Sequence, residues 1–466
     1  MAACLYVLRP SAPARHSVSS PPHLTSPHLS YTRKRSTGAA PELYQTASHT
    51  ALPPPTRRKA RKPMRTGYVM TTFKNGAAHR NGVGNGLGDG LRLLASPDGR
   101  RWQPLPGEPI LLRTDATGGR VLRDPSIVKA GGLFHLVFTS DLCVGQKPRF
   151  WRCEQLPLEG RPLARFGYAT SVDLLAWEDV RLVEVPLRAA CSIWAPEITS
   201  LPADEGGGFM VMFSATQVKS GKCPVNFKST AHRSWYVTSS DMRTFSPPRR
   251  LLTSVKDSVI DLFPILNFRR GHPTRPPHAL LYKSEHNSCE HREWLLGIAP
   301  DAKRSECTLV LHVATAWNAS GPWAPLESAK GSFFAQGAIS RPCAEGAAAV
   351  RLASNEWLVL FDGYRNDCPL RAPRPCGTIA GRRVEELGLK AFETEGAKTC
   401  SYLPIRKGLG AMVTSDFYHF EDQSSTIQIP DDYKHGTVVM LSGPEVEAFC
   451  STTLAANMSI MCRTQS

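Results

Sequence analysis

Short apolar runs separated by glycine-containing turns recur along the chain, and this alternation predicts antiparallel β-hairpins. The clearest unit opens at Asp124, passes through an apolar stretch, turns at Gly131-Gly132 and continues as a second apolar run to Phe138. Later segments repeat this design, with strand starts that carry Glu197, Asp261 and Glu345. Because several strands begin with an acidic residue, we expect Asp124, Asp261 and Glu345 to share one site.

A second pattern, Ser/Thr-x-Asp-x-x-x-aromatic, follows short apolar strands and marks an internal repeat. Four full copies begin at Ser96, Ser171, Ser239 and Thr414, and a degenerate fifth copy runs from Thr315 to Trp323. The Ser and Asp side chains are expected to cap a tight turn. The aromatic residue is expected to pack back between neighbouring sheets.

Five copies predict an all-β fold, a five-bladed β-propeller made of radial four-stranded sheets. The last apolar strand, residues 435–441, is expected to join the N-terminal strands near Tyr68 and Leu91 and so to close the ring. The propeller would then span residues 67–441, with a C-terminal tail at 442–466. Since the first strand of each blade lines the channel, the acids at the strand starts would meet at one mouth.

The N-terminal residues 1–66 are rich in Ser, Pro, Arg and His, a composition that predicts a disordered basic arm. Residues 1–67 hold eleven Lys and Arg against the single acid Glu42, so they carry +10 of the net charge of +16. We interpret this arm as a solvated or targeting segment and expect no nucleic-acid partner, because the body contains no nucleic-acid-binding motif.

Compartment and membrane association are judged from cysteines and hydropathy. Twelve cysteines between Cys143 and Cys462 permit disulfides in an oxidising compartment, or buried free thiols in a reducing one. The secretory pathway is favoured, with an organelle transit peptide as the alternative. No apolar run approaches the roughly 18 residues of a membrane helix, so no membrane partner is expected.

The glycine-rich residues 81–90 lack the Gly-Lys-Ser/Thr ending of a phosphate-binding loop and are interpreted as a hairpin loop.

Convergent carboxylates suit glycoside hydrolysis, which needs an acid to protonate the leaving oxygen and a base to activate water. A third carboxylate nearby raises the pKa of the acid by like-charge repulsion.

Six motifs, in this order and with similar spacing, resemble glycoside hydrolase family 43 over about residues 90 to 441: Arg123-Asp124-Pro125, Trp194-Ala-Pro-Glu-Ile198, Ser258-Val-Ile-Asp261, Glu345-Gly346, Phe361-Asp-Gly-Tyr364 and His435-Gly-Thr-Val438.

The resemblance implies a five-bladed propeller that hydrolyses arabinosides, xylosides or galactosides with inversion. It implies Asp124 as the general base, Asp261 as the pKa modulator and Glu345 as the general acid. One departure is that Ala347 follows Glu345-Gly346, where the family commonly has proline. The loop that holds the acid is therefore expected to differ.

The resemblance further implies a carbohydrate substrate and no required cofactor. Trp194, Tyr364 and Arg123 would contact the sugar, and Glu197 would be a structural or subsite residue. His435 would lie in the central channel, where family members often hold a calcium ion or a water cluster.

Two alternatives remain open at the level of sequence. A retaining propeller that cleaves fructans or sucrose also uses Arg-Asp-Pro, but it would need an upstream Asn-Asp-Pro, which the sequence lacks. The second alternative belongs to another functional class: a propeller that binds glycans, or a partner protein, without catalysing a reaction.

Overall fold

The computed structural model describes residues 66–74, 90–113, 121–140, 164–187, 190–217, 232–255, 258–269, 272–284, 310–326, 344–363, 378–379, 382–383, 389–393, 400–404, 408–430, 432–452 and 461–462. These residues all belong to the compact unit Arg61–Ser466. The predicted basic arm lies outside the described residues except for Thr66, as does the glycine-rich segment except for Gly90. None of the described helices has the length and apolar character needed to cross a membrane.

Five four-stranded antiparallel sheets form the body, and we number them as blades. Blade 1 contains β1 (Gly67–Thr72), β2 (Arg92–Ser96) and β3 (Gln103–Pro104). Blade 2 contains β4 (Arg123–Ala130), β5 (Leu133–Thr139), β6 (Arg165–Ser171) and β7 (Glu178–Glu184). Blade 3 contains β8 (Ala190–Ser200), β9 (Phe209–Gln217), β10 (Arg233–Ser239) and β11 (Arg249–Arg250). Blade 4 contains β12 (Val259–Ile265), β13 (His278–Ser284), β14 (Val310–Ala316) and β15 (Ala324–Pro325).

Blade 5 begins with β16 (Ala344–Arg351) and β17 (Trp357–Gly363). Two small hairpins follow, β18 (Thr378–Ile379) with β19 (Arg382–Arg383), and β20 (Leu389–Glu393) with β21 (Cys400–Pro404). Blade 5 is then completed by β22 (Gly408–Thr414) and β23 (Glu421–Asp422). The final strand β24 (Val438–Leu441) returns to blade 1, and helix α1 (Gly443–Ser451) follows it.

The ring closes through strands from the two ends of the propeller. Strand β24 pairs antiparallel with β1, with Val69 opposite Val439, so the order of blade 1 is β24-β1-β2-β3. This confirms the predicted closing strand and, with the five sheets, the five-bladed propeller. A closed ring leaves each blade covered on both faces, which suits the buried apolar pattern of the strands.

The repeated Ser/Thr-x-Asp motif forms the predicted turn. In the first copy the Ser96 hydroxyl accepts the N–H of Gly99 at 2.9 Å, and Asp98 Oδ1 accepts the N–H groups of Arg100 and Arg101, each at 2.9 Å. The residue after the Asp adopts a left-handed conformation in all four full copies: Gly99, Leu174, Met242 and Phe417. In the three copies that lack glycine at this position, the side-chain caps stabilise the strained turn.

Five clusters of buried hydrophobic side chains join neighbouring blades, one between each pair. The repeat aromatic of each blade packs in the cluster shared with the preceding blade: Trp102, Trp177, Phe245, Trp323 and Phe420. Full burial of one such side chain contributes about 1.5–3 kcal/mol. The repeat therefore supplies both the turn of a blade and the contact to its neighbour.

The C-terminal residues contain a helix that sequence analysis treated as tail. Ser442 precedes Gly443-Pro444, and its backbone N–H donates to Glu445 Oε2 at 2.7 Å. Ser-x-x-Glu with proline in the first turn is a helix-start signal that could have revealed α1. A disulfide between Cys450 and Cys462 ties the end of the helix to the residues that follow.

Candidate active site

The inner strands of blades 2 to 5 share one irregularity near the channel. Pairing is interrupted between Arg123 and Ser126, between Trp194 and Glu197, between Ile260 and Phe263, and between Glu345 and Ala348. Inside each interruption one residue has a positive φ: Asp124 at 51°, Ala195 at 43°, Asp261 at 56° and Gly346 at 60°. Such bulges bend the strand and redirect side chains, and strained backbone of this kind clusters at functional sites.

These four bulges and the segment His435-Gly436, which leads into β24, surround one pocket that is open to solvent. Every blade therefore contributes to its wall. The lining includes three residues singled out from the sequence, Asp124, Asp261 and His435, together with Glu197. Glu345 is the neighbour of the lining residue Gly346.

Asp124 is buried and firmly held. Thr139 Oγ1 donates to its Oδ2 at 2.7 Å, and His435 Nε2 lies 3.1 Å from its Oδ1. Burial raises the pKa of Asp124, but the hydrogen bond and charge of His435, with the charge of Arg123, outweigh burial and lower the pKa to about 2. Asp124 is therefore a carboxylate at neutral pH.

Asp261 and Glu345 meet across the gap between blades 4 and 5. Asp261 Oδ2 accepts the backbone N–H of Gly346 at 2.9 Å, and Lys283 Nζ lies 2.8 Å from Glu345 Oε2. Burial raises the pKa of Asp261 to about 6; the charges of Lys283 and His435 oppose this rise, whereas those of Glu345 and Asp124 reinforce it. Asp261 thus fixes the backbone next to Glu345 and shares its electrostatic environment.

Gly346 satisfies two requirements at once. Its φ of 60° is left-handed, and a Cβ added there would lie 1.9 Å from Cγ of His435. No side chain fits this position without moving the imidazole ring. The expected difference in the loop concerns Ala347, which is buried in the bulge where the family commonly has proline.

His435 connects Asp124 to a second carboxylate, that of Asp362, which was not singled out from the sequence. Its Nδ1 lies 2.7 Å from Asp362 Oδ2, its Nε2 faces Asp124, and the ring packs edge-on to Phe73 at 5.9 Å. Burial alone would lower the pKa of His435, but the charge of Asp362 and the hydrogen bonds to both aspartates raise it well above its usual value. A protonated ring can donate to both carboxylates, so His435 orients Asp124.

The predicted calcium ion was tested against the donor groups in the channel. Ligand atoms of Glu345, Asp362 and His435 lie within 4.8 Å of one another. However, Lys283 Nζ already contacts Glu345, and Lys434 Nζ lies 3.5 Å from Asp362. Calcium takes about 6–8 oxygen ligands, and a protonated imidazole has no lone pair to offer. This donor set does not fit a calcium ion.

Glu197 lies on the pocket wall and joins blade 3 to blade 1. Its Oε1 accepts a hydrogen bond from Thr437 Oγ1 at 3.3 Å. Burial raises the pKa of Glu197 to about 8, and hydrogen bonds from Ser126 and Thr437 together with the charge of His435 oppose that rise only in part. At neutral pH Glu197 is largely protonated, which makes it a hydrogen-bonding group rather than a charge.

The three predicted sugar-binding residues differ in position. Trp194 is half-buried in the bulge of blade 3, and its ring lies edge-on to that of His232, with 5.9 Å between the ring centres. The Arg123 guanidinium lies 5.1 Å from the ring centre of Phe73, and its Nε is 4.0 Å from Asp124 Oδ1, so it packs beside the predicted base. Tyr364 lies outside the described residues.

Three residues of the site were not predicted from the sequence: Lys283, which contacts Glu345, Thr139, which donates to Asp124, and Asp362, which contacts His435. Two of them left a signal. Lys283 is the only Lys, Arg, Asp or Glu in the apolar run His278–Ser284, and Asp362 belongs to the Phe361-Asp-Gly-Tyr364 motif. Thr139 left none, since threonine is ordinary at the end of a β-strand.

Comparison with known proteins gives one match at the family level. The profile of the glycosyl hydrolase 43-related family, described as a probable glycosyl hydrolase domain, matches residues 64–367. No curated protein sequence matches the chain.

Among solved structures, a β-xylosidase, RS223, is 13% identical, with 75% of this chain and 85% of that one covered and a TM-score of 0.38. An endo-1,4-β-xylanase from Bacteroides thetaiotaomicron is 13% identical, with 64% and 84% covered and a TM-score of 0.35. An α-L-arabinofuranosidase from Lactobacillus brevis is 11% identical, with 69% and 90% covered and a TM-score of 0.33.

Proposed function

Since this chain belongs to the glycosyl hydrolase 43-related family and is a glycoside hydrolase, we propose that it cleaves O-glycosidic bonds of arabinofuranosides, xylosides or galactosides in oligosaccharides or polysaccharides, with inversion at the anomeric carbon. In this proposal Asp124 is the general base, Glu345 the general acid and Asp261 the pKa modulator. In this proposal the carbohydrate substrate binds in the pocket.

The properties of Asp124 support its role as base. A pKa of about 2 keeps it ionised at neutral pH, so it can take a proton from water. The hydroxyl of Thr139 and the ring of His435 hold the carboxylate in one orientation. In the reaction, water attacks the anomeric carbon while Asp124 accepts its proton, and the bond from that carbon to the leaving oxygen breaks.

Glu345 completes the reaction by giving its proton to the leaving oxygen, so that an alcohol departs and a free sugar of inverted configuration remains. The hydrogen bond from Gly346 to Asp261 supports this role, because it fixes the backbone that carries Glu345. Asp261, with its raised pKa of about 6, supplies a carboxyl group whose charge changes near neutral pH.

One observation carries the proposal: acidic residues from blades 2 and 4, and the residue that follows Glu345 on blade 5, line one pocket at the propeller axis. The test uses the full chain with para-nitrophenyl α-L-arabinofuranoside, β-D-xyloside and β-D-galactoside. Proton NMR of the first product distinguishes inversion from the retention expected of a fructan- or sucrose-cleaving relative. Retention would refute the inverting mechanism.

The non-catalytic alternative is tested with Asp124→Asn and Glu345→Gln. We expect each to lower kcat by about 10²–10⁴-fold, while the affinity for the sugar, measured by calorimetry, stays within about threefold of wild type because the pocket shape is retained. Asp179→Asn is the matched control, since Asp179 pairs with Arg181 and Arg243 on the surface. Sugar binding without any turnover by the wild-type protein would favour the glycan-binding alternative.

A further inference from the structure

Lys283 is a buried cation on the second strand of blade 4. All seven residues of β13 are buried, and Lys283 itself is 4% exposed. Its backbone pairs with Ile260, the residue before Asp261. Its side chain reaches the neighbouring blade, where Nζ lies 2.8 Å from Glu345 Oε2.

A buried ammonium group needs a partner of opposite charge, because desolvation otherwise favours its neutral form. The ionised carboxylate of Glu345, the state that a general acid reaches once it has given up its proton, meets that need, and the side chain of Glu345 is only 12% exposed. Water therefore screens the pair weakly, and the position of one group restricts the other. Lys283 holds the Glu345 carboxyl at Oε2, and the hydrogen bond from the N–H of Gly346 to Asp261 fixes the backbone that follows Glu345.

Two further cations, Lys434 and His435, lie near Glu345. Lys434 and His435 both lie against Asp362, the residue opposite Glu345 in the pairing of β16 with β17. Asp261 faces Gly346. Lys283 Nζ is in hydrogen-bonding contact with Glu345, the predicted acid.

This arrangement has a consequence for catalysis. When a general acid gives up its proton, it becomes a carboxylate, and a fixed positive charge beside it stabilises that product of the transfer more than the protonated form. Stabilisation that grows along the reaction lowers the barrier rather than only the energy of the bound substrate.

We propose that Lys283 is a positioning residue for Glu345: it holds the carboxyl group towards the leaving oxygen and stabilises the negative charge that the group acquires on protonating it. The inference depends on the proposed hydrolase function. It goes beyond the three acids, because it assigns a role to a fourth side chain on a different strand.

The test compares two leaving groups on one sugar, whichever of the three the wild-type protein hydrolyses. A dinitrophenyl glycoside leaves with little help from an acid, whereas an unsubstituted phenyl glycoside needs protonation. We expect Lys283→Met to lower kcat/KM for the phenyl glycoside by about 10²-fold and for the dinitrophenyl glycoside by less than about threefold. Lys283→Arg, which keeps the charge, should recover most of the loss.

The matched control is Lys129→Met. Lys129 also lies on a blade strand and forms an ion pair, with Glu445, but it is half-exposed and lies at the other end of β4 from Asp124. It should leave both substrates unaffected. Equal losses on the two substrates for Lys283→Met, or no loss at all, would overturn the proposal.

A second measurement separates this inference from the hydrolase proposal. In a double-mutant cycle of Lys283→Met and Glu345→Gln, urea unfolding should show effects that depart from additivity by about tenfold in the unfolding equilibrium constant. Additive effects would refute the ion pair, whatever the activity. If the wild-type protein hydrolysed none of the three glycosides, the hydrolase function would be refuted instead, and with it the role of Lys283 in catalysis.

Discussion

Replacing Gly346 with alanine tests whether the close approach of Gly346 to His435 is real. The added Cβ would lie 1.9 Å from Cγ and 2.2 Å from Nδ1 of the ring, far inside van der Waals contact. The ring cannot retreat easily, because its two nitrogens face Asp362 and Asp124. A left-handed alanine costs about 1–2 kcal/mol, and forcing an extra methyl group into a packed site costs about 1–3 kcal/mol more.

The control is Gly131→Ala in the turn between β4 and β5. Gly131 has a φ of 58°, almost the same as the 60° of Gly346, but a Cβ there would meet nothing within 4 Å. This variant should therefore show the backbone cost alone, about 1–2 kcal/mol. The difference between the two variants isolates the collision with His435.

The assay is urea unfolding followed by tryptophan fluorescence and circular dichroism, together with kcat/KM. We expect Gly346→Ala to cost about 2–5 kcal/mol and to lower kcat/KM sharply, because a displaced ring no longer orients Asp124. Adding His435→Ala should recover part of the stability and none of the activity. If the two alanine variants lost the same stability, the tight packing of His435 against Gly346 would be disproved.

Three further outcomes are expected. The pKa of Glu197 is raised from 4.5 to about 8 in the folded protein, so its contribution to stability is present at low pH and falls as the pH rises from 4.5 to 8. Glu197→Gln should therefore make the urea midpoint of unfolding less dependent on pH in this range. An unchanged pH dependence would contradict the raised pKa. Replacing Cys450 and Cys462 with serine should lower the free energy of unfolding, measured by calorimetry, by about 3 kcal/mol. An unchanged free energy would show that packing alone holds α1. Ser171→Ala, which leaves the N–H of Leu174 without its acceptor, should cost about 1 kcal/mol in urea unfolding, and no loss would exclude the capping role.

The five-bladed architecture could be predicted because each blade contains a copy of the same short sequence motif. A Ser-x-Asp turn needs only neighbouring atoms, as Ser96 and Asp98 show, and its aromatic residue marks the contact with the preceding blade. The closing strand was predictable for a related reason, since residues 438–441 form an apolar run with no other sheet to join. Helix α1 was missed although Ser442 and Glu445 carry its start signal, because a single short helix has little periodicity.

The site was harder to predict, because its contacts link residues far apart in the chain. Asp124 and His435 are brought together only by ring closure, and Lys283 meets Glu345 only because blades 4 and 5 are neighbours. No local pattern contains these pairings. A lysine inside an apolar strand does indicate a buried partner, but it does not indicate which acid that partner is.

The four bulges give four blades the same backbone and yet different chemistry. In blades 2 and 4 the left-handed position is an aspartate, Asp124 or Asp261, whereas in blade 5 it is Gly346 and the acid comes one residue earlier. Because side chains alternate along a strand, an offset of one residue directs Glu345 differently from the two aspartates. That offset leaves the N–H of Gly346 open to Asp261 and turns Glu345 towards Lys283. The proposed base and the proposed acid therefore lie on copies of the same bend and differ through the position of a single glycine.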